Sequence, residues 1–95
     1  MAEKEQMVVF CYDIERHSTR NRVSDYLEER LVRVQRSVFE GRMTPAHASA
    51  LFDALVKMVD NGDSLRLYVI DQGGLTNSRQ YGGAPFAEEA GFILL

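Results

Sequence analysis

The chain has 95 residues, a net charge of −3 and a single cysteine, which excludes an internal disulfide and fits a reducing compartment. Its hydrophobic share of 45% against 26% charged is that of an ordinary globular domain, and one of this length buries a modest core that association would help. The opening MAEKEQ carries two acids where a secretory leader carries basic residues, and the apolar run after it is too short to span a bilayer. A cytoplasmic protein with no membrane segment is expected.

Met7 to Tyr12, rich in Val, Phe and Tyr, predicts a strand that ends on the lone acid Asp13. Ser18 or Thr19 is placed to cap a helix running to about Leu31, with Val23, Tyr26, Leu27 and Leu31 on one stripe. In LVRVQRSVFEGRM the pattern predicts two short strands, or one strongly bent one, interrupted near Arg36 and Ser37, with Glu40 and Gly41 resembling a turn. Thr44 and Pro45 then open the best-signed element, a helix whose stripe is Leu51, Leu55, Met58 and Val59, with Phe52 beside it. Asn61 and Gly62 suit its end, and SLRLYVI, residues 64 to 70, alternates as a strand. Residues 72 to 91 hold five glycines and no period, so they read as a loop or flexible tail before the apolar FILL of residues 92 to 95.

The order β-α-β-β-α-β is that of an α+β, ferredoxin-like fold with a four-stranded antiparallel sheet and both helices on one face. This places a domain at residues 1–71, with residues 1–6 a disordered start, and a tail at 72–95 ending in a docking strand. The strands are apolar on both sides: Val9 and Cys11 oppose Val8, Phe10 and Tyr12, and Tyr68 and Ile70 oppose Leu65, Leu67 and Val69. In so small a chain the expected cover for the second face is another copy, making a homodimer packed through its sheets.

Charge is segregated. Residues 16 to 42 hold seven arginines against four acids, a net of +3, leaving −6 elsewhere. Arginine's planar fork suits phosphate, although a solvated helix face with Asp25, Glu28 and Glu29 as partners explains the same pattern. Arg16, Arg20 and Arg22 follow Asp13 closely enough to reach phosphates beside it.

VVFCYDI, TRNRV, RVQRSVFEG and GDSLRLYVI stand in order between residues 8 and 70. Together they resemble the small CRISPR-associated adaptation proteins, a family of metal-dependent endoribonucleases found alongside the CRISPR integrase. The resemblance covers roughly residues 7 to 71. It implies a ferredoxin-like homodimer whose C-terminal strand adds to the partner's sheet, the place that FILL would take. It implies that Asp13 from both subunits is the metal-binding and catalytic acid, and that Tyr12, Arg20, Arg22, Arg33, Ser37 and Phe39 handle a nucleic-acid substrate, either single-stranded RNA or double-stranded DNA. The glycine-bearing tail matches no motif of the family.

Phosphodiester hydrolysis needs activated water and neutralised phosphate oxygens, and Mg2+ or Mn2+ can supply both through oxygen ligands. One Asp per subunit is a poor site, whereas two brought together by symmetry are a plausible one. Two carboxylates about 6 Å apart also repel by roughly 3 kcal/mol at an effective dielectric near 20, a cost that an intervening cation removes. Tyr12 and Phe39 are aromatic enough to stack on bases, and equally plain core. His17 reads as an exposed loop histidine, His47 as surface and Cys11 as a small buried apolar residue. Three functions stay open: a metal-dependent endonuclease of spacer acquisition in antiviral defence, a non-catalytic DNA-binding scaffold bridging integrase subunits, and a toxin-like ribonuclease of the same fold.

Overall fold

The computed structural model describes residues 4–70 and 79–83. The order is β1 (Gln6–Asp13), α1 (His17–Glu28), β2 (Val32–Gln35), β3 (Val38–Met43), α2 (Pro45–Val56), β4 (Ser64–Ile70) and β5 (Arg79–Tyr81). The strands form one antiparallel sheet in the order β2-β3-β1-β4-β5. The first four are the ferredoxin-like set, and β1 lies between β3 and β4.

Period-2 alternation decides what β1 buries. Val8, Phe10 and Tyr12 point into the core with Phe39 of β3 and Leu65, Leu67 and Val69 of β4. Both helices cover that face, through Val23 and Leu27 of α1 and Ala48, Leu51, Phe52 and Leu55 of α2. On the other face the register puts Val9 between Glu40 and Tyr68, and Cys11 between Val38 and Arg66. No described element covers this face, and Val32 is 65% and Ile70 60% exposed at its margins.

Several boundaries differ from the sequence reading, each for a physical reason. Helix α1 starts at His17 with Arg16 as an N-cap that makes no side-chain cap bond. Neither Ser18 nor Thr19 caps it, because the Thr19 hydroxyl is buried and donates to Asp60 Oδ2 at 2.9 Å. The helix stops at Glu28 rather than Leu31. Leu31 follows in the core, its N–H on the Leu27 carbonyl at 2.8 Å. Glu40 and Gly41 are strand, not turn: β3 runs on to Met43, and Gly41 is where a Cβ would stand 2.7 Å from Leu31 Cδ2.

Thr44 does cap α2, accepting from the His47 N–H at 3.2 Å, with Pro45 behind it. The helix ends at Val56, and Asn61 and Gly62 belong instead to the turn entering β4. Within the stretch read as periodless, Arg79–Tyr81 forms β5 on the outer edge of β4. Arg79 pins it from the helix side, bonding Ser49 Oγ at 2.9 Å and Asp53 Oδ1 at 3.0 Å with its guanidinium over the Phe52 ring. Gly82 closes the strand at φ +73°, where any Cβ would meet the Asp63 carbonyl. FILL, at 92–95, lies outside the described residues.

Candidate nucleic-acid cleft

Asp13 is the last residue of β1, and the strand's alternation continues the row of Val9 and Cys11 into it. The carboxylate is therefore exposed at the end of the sheet face that no described element covers, and it makes no side-chain hydrogen bond or ion pair with the described residues. Beside it opens a cleft of about 500 Å3 between the start of α1 and the β2–β3 turn. Its walls bring together Asp13, Tyr12, Arg20, Arg33 and Ser37, five of the eight residues expected at the site. Ile14, His17, Asn21, Ser24 and Arg36 complete them.

Arg20 holds the inner wall. Its Nη1 donates to the carbonyls of Ile14 at 3.1 Å and Glu15 at 3.4 Å, and its Nη2 lies 2.9 Å from His17 Nδ1. A guanidinium can only donate, so His17 Nδ1 is the accepting atom of that contact. On the other side of the ring the Asn21 Nδ2 lies 3.2 Å from His17 Nε2. His17 is thus a fixed part of the cleft rather than a stray loop residue. The signal available in the sequence was its i, i+3 and i, i+4 spacing to Arg20 and Asn21.

Arg33 holds the opposite wall with four of its five N–H groups engaged. It donates to Glu28 Oε1 through Nε at 2.9 Å and Nη2 at 2.6 Å, to Ser24 Oγ, and to the Arg36 carbonyl. The Glu28 bond holds the guanidinium more firmly protonated than usual, and its carbon lies 4.9 Å from the Phe39 ring centroid.

Three expected residues, Arg16, Arg22 and Phe39, lie outside the cleft walls. Phe39 is sealed in the core at 0% exposure, and Tyr12 stacks on it with ring centroids 6.2 Å apart and its hydroxyl toward the Arg36 carbonyl. Neither ring is open to a base, because β1 and β3 turn these positions toward the helices. Arg16 reaches Asp60 at 3.7 Å and Arg22 the Met58 carbonyl at 3.3 Å, both outside the cleft walls.

A buried carboxylate that the sequence reading passed over fixes the loop carrying Asp13. Asp63, 5% exposed, accepts from the Glu15 N–H at 3.3 Å through Oδ1 and from the Asp60 N–H at 2.8 Å through Oδ2. Asp60 in turn holds Thr19 and Arg16. The α2–β4 turn is thereby tied to the loop between β1 and α1.

With this geometry in place, a family model described as CRISPR associated protein Cas2 matches residues 6–77. The chain belongs to the Cas2 family. It is 32% identical over 84 residues to a protein of Pyrobaculum aerophilum named CRISPR-associated endoribonuclease Cas2 2, covering 86% of this chain and 92% of that relative. Among solved structures it resembles a Cas2 crystal structure, with a TM-score of 0.64 and 32% identity over 70% of this chain and 75% of the other. It also resembles a chain of a partial Cas6-RT-Cas1–Cas2 complex, at TM-score 0.58 and 27% identity over 86% and 97% of the two chains. As a Cas2 protein its four-stranded core is the family's, and Asp13 at the end of β1 is the acid that the family resemblance singled out. No helix among the described residues is long and apolar enough to cross a membrane.

Proposed function

We propose that this Cas2 protein is a divalent-metal-dependent endonuclease of CRISPR adaptation, working as a homodimer in which Asp13 of each subunit contributes to one catalytic site. The observation that carries the reading is the Asp13 carboxylate, which has no side-chain partner among the described residues, at the end of a sheet face that no described element covers and beside a cleft with three arginines on its walls. A second copy packed face to face covers Val9, Cys11 and Ile70 and brings a second Asp13 to the same end.

The donor set fits Mg2+ or Mn2+. Within one chain no group of three or more His, Cys, Asp or Glu side chains is placed to hold a metal among the described residues. Hard cations are nonetheless held by one or two carboxylates with water and substrate completing the shell. The paired Asp13 side chains would hold the ion, which supplies Lewis-acid polarisation of the phosphate. The chain's own residues set the stage: Arg20 and Arg36 give the cleft positive potential, and the loop from Asp13 to Arg16 is held at a fixed place by Asp63.

The experiment incubates the purified protein with single-stranded RNA and with duplex DNA, each with and without Mg2+ or Mn2+. Metal-dependent cleavage lost in Asp13→Ala, with the dimer retained, supports the reading. Cleavage that survives the substitution refutes it. A second reading is a dimeric scaffold that bridges integrase subunits on DNA, favoured by the structural match to a chain of the partial Cas6-RT-Cas1–Cas2 complex. Under that reading Asp13→Ala leaves DNA and integrase binding intact, and deletion of residues 72–95 removes integrase binding.

A further inference from the structure

We infer that Arg36, in the turn between β2 and β3, is the residue of this cleft that contacts a substrate phosphate, and that Arg33 is not. The inference rests on the proposed nucleic-acid function and names the contact that the site would use.

Three guanidiniums line the cleft, and their hydrogen-bonding capacity is unequally spent. Each arginine has five N–H donors in a rigid fork. Arg33 gives Nε and Nη2 to Glu28, Nη2 also to Ser24, and Nη1 to the Arg36 carbonyl. A phosphate could recruit it only by taking it from Glu28, and the charge is already neutralised there. Arg20 spends Nη1 on two backbone carbonyls and Nη2 on His17.

Arg36 differs from both. Its backbone is fixed from two sides, the carbonyl accepting from Tyr12 Oη and from Arg33. Its side chain is exposed and makes no hydrogen bond or ion pair with the described residues. A pinned base carrying an unspent, permanently charged fork is the arrangement that gains most from an incoming phosphate. The neighbouring Ser37 hydroxyl, also on the cleft wall and also without a side-chain partner among the described residues, adds a neutral donor beside it. The tight Arg33 network thus builds the wall, and Arg36 stands on it.

The test measures binding of a fluorescein-labelled single-stranded RNA 12-mer in EDTA, so that no cleavage intervenes, across a range of KCl concentrations. Arg36→Gln should weaken binding roughly five- to tenfold at 100 mM KCl and reduce the slope of log K against log salt by about 0.7 per occupied cleft, with melting temperature unchanged. Arg36→Lys, which keeps the charge, should keep the slope. Arg33→Gln should lower the melting temperature and leave the slope of the folded fraction alone. Unchanged affinity and slope in Arg36→Gln overturns the inference, as does a wild-type protein that does not bind, or a slope lost in Arg33→Gln at an unchanged melting temperature. Wild-type cleavage alongside an indifferent Arg36→Gln would sink this inference and spare the nuclease. An Arg36-dependent slope in a protein that never cleaves would do the reverse.

Discussion

Removing the Asp63 carboxylate should unlock the loop that carries the candidate acid. Asp63→Ala deletes the acceptors of two backbone donors, Glu15 N–H and Asp60 N–H, at a site 5% exposed. Leaving a donor without its partner costs about 1–3 kcal/mol when it is buried; these two bonds are part-buried and go to a charged acceptor. The Glu15 bond is the longer of the two, at 3.3 Å against 2.8 Å, so it is weighted at the lower end and the pair amounts to about 3 kcal/mol. For a domain of this size each kcal/mol moves the melting temperature by about 4–8 °C, so a fall of roughly 15 °C is expected. Asp63→Asn retains one acceptor oxygen and turns an N–H2 toward the other donor, so it should fall by about half as much. Differential scanning calorimetry of the three proteins reads the difference. A melting temperature for Asp63→Ala within about 3 °C of wild type would mean that the carboxylate is not what ties the two loops together.

Three further outcomes follow from the same structure. Val9→Glu places a charge in the centre of the uncovered sheet face, where burial without a partner costs several kcal/mol; light scattering should show the dimer's dissociation constant rising about a hundredfold or more, and an unchanged mass would refute sheet-to-sheet pairing. Phe39→Ala, at a position with 0% exposure, should cost about 3–5 kcal/mol of stability in urea unfolding, whereas a substrate-stacking ring would lose affinity at unchanged stability. Burial raises the Cys11 thiol above its ordinary pKa, and nearby Arg66 lowers it by less. Its thiolate fraction at pH 8 is therefore smaller than a free cysteine's, so iodoacetamide should modify it more slowly than a peptide thiol and accelerate as pH rises past 9; equal rates at pH 8 would contradict this.

What the sequence revealed depended on whether a signal was local. The alternation of Leu65, Leu67 and Val69 and the Thr44–Pro45 start of α2 are complete within a few residues, and the strand and that helix start lie where the pattern placed them. The start of α1 depended on where the Thr19 hydroxyl went, and its partner Asp60 is 41 residues away. The strand at Arg79–Tyr81 has only three residues, too few for a period, and is held by Arg79 contacts to α2. At the site, Asp13, Arg20 and Ser37 were legible from family motifs. For Tyr12 and Phe39 the sequence left base stacking and plain core both open, because an aromatic in a strand has two faces to choose from, and only the tertiary placing of the helices chooses. Asp63 gave no sequence signal beyond its place in GDS, since its two donors come from separate loops.

The arginine belt shows why charge counting overstates a nucleic-acid surface. Of the seven arginines between residues 16 and 42, Arg16, Arg22, Arg30 and Arg42 lie outside the cleft walls and bond Asp60, the Met58 carbonyl, the Tyr26 carbonyl and the Glu5 carbonyl. They tie helices and strand ends together while keeping their charge toward solvent, so under the proposed function they would steer a polyanion without gripping it. Only Arg20, Arg33 and Arg36 line the cleft. If all seven released counterions on a single strand, the salt slope would be about −5, whereas engagement limited to the cleft bounds it near −2, with Arg33's share already spent on Glu28. A measured slope near −5 for a short single-stranded RNA would mean that the whole belt is the binding surface and that the cleft does not select the contact. A slope between about −1 and −2 would fit the accounting drawn from the hydrogen bonds.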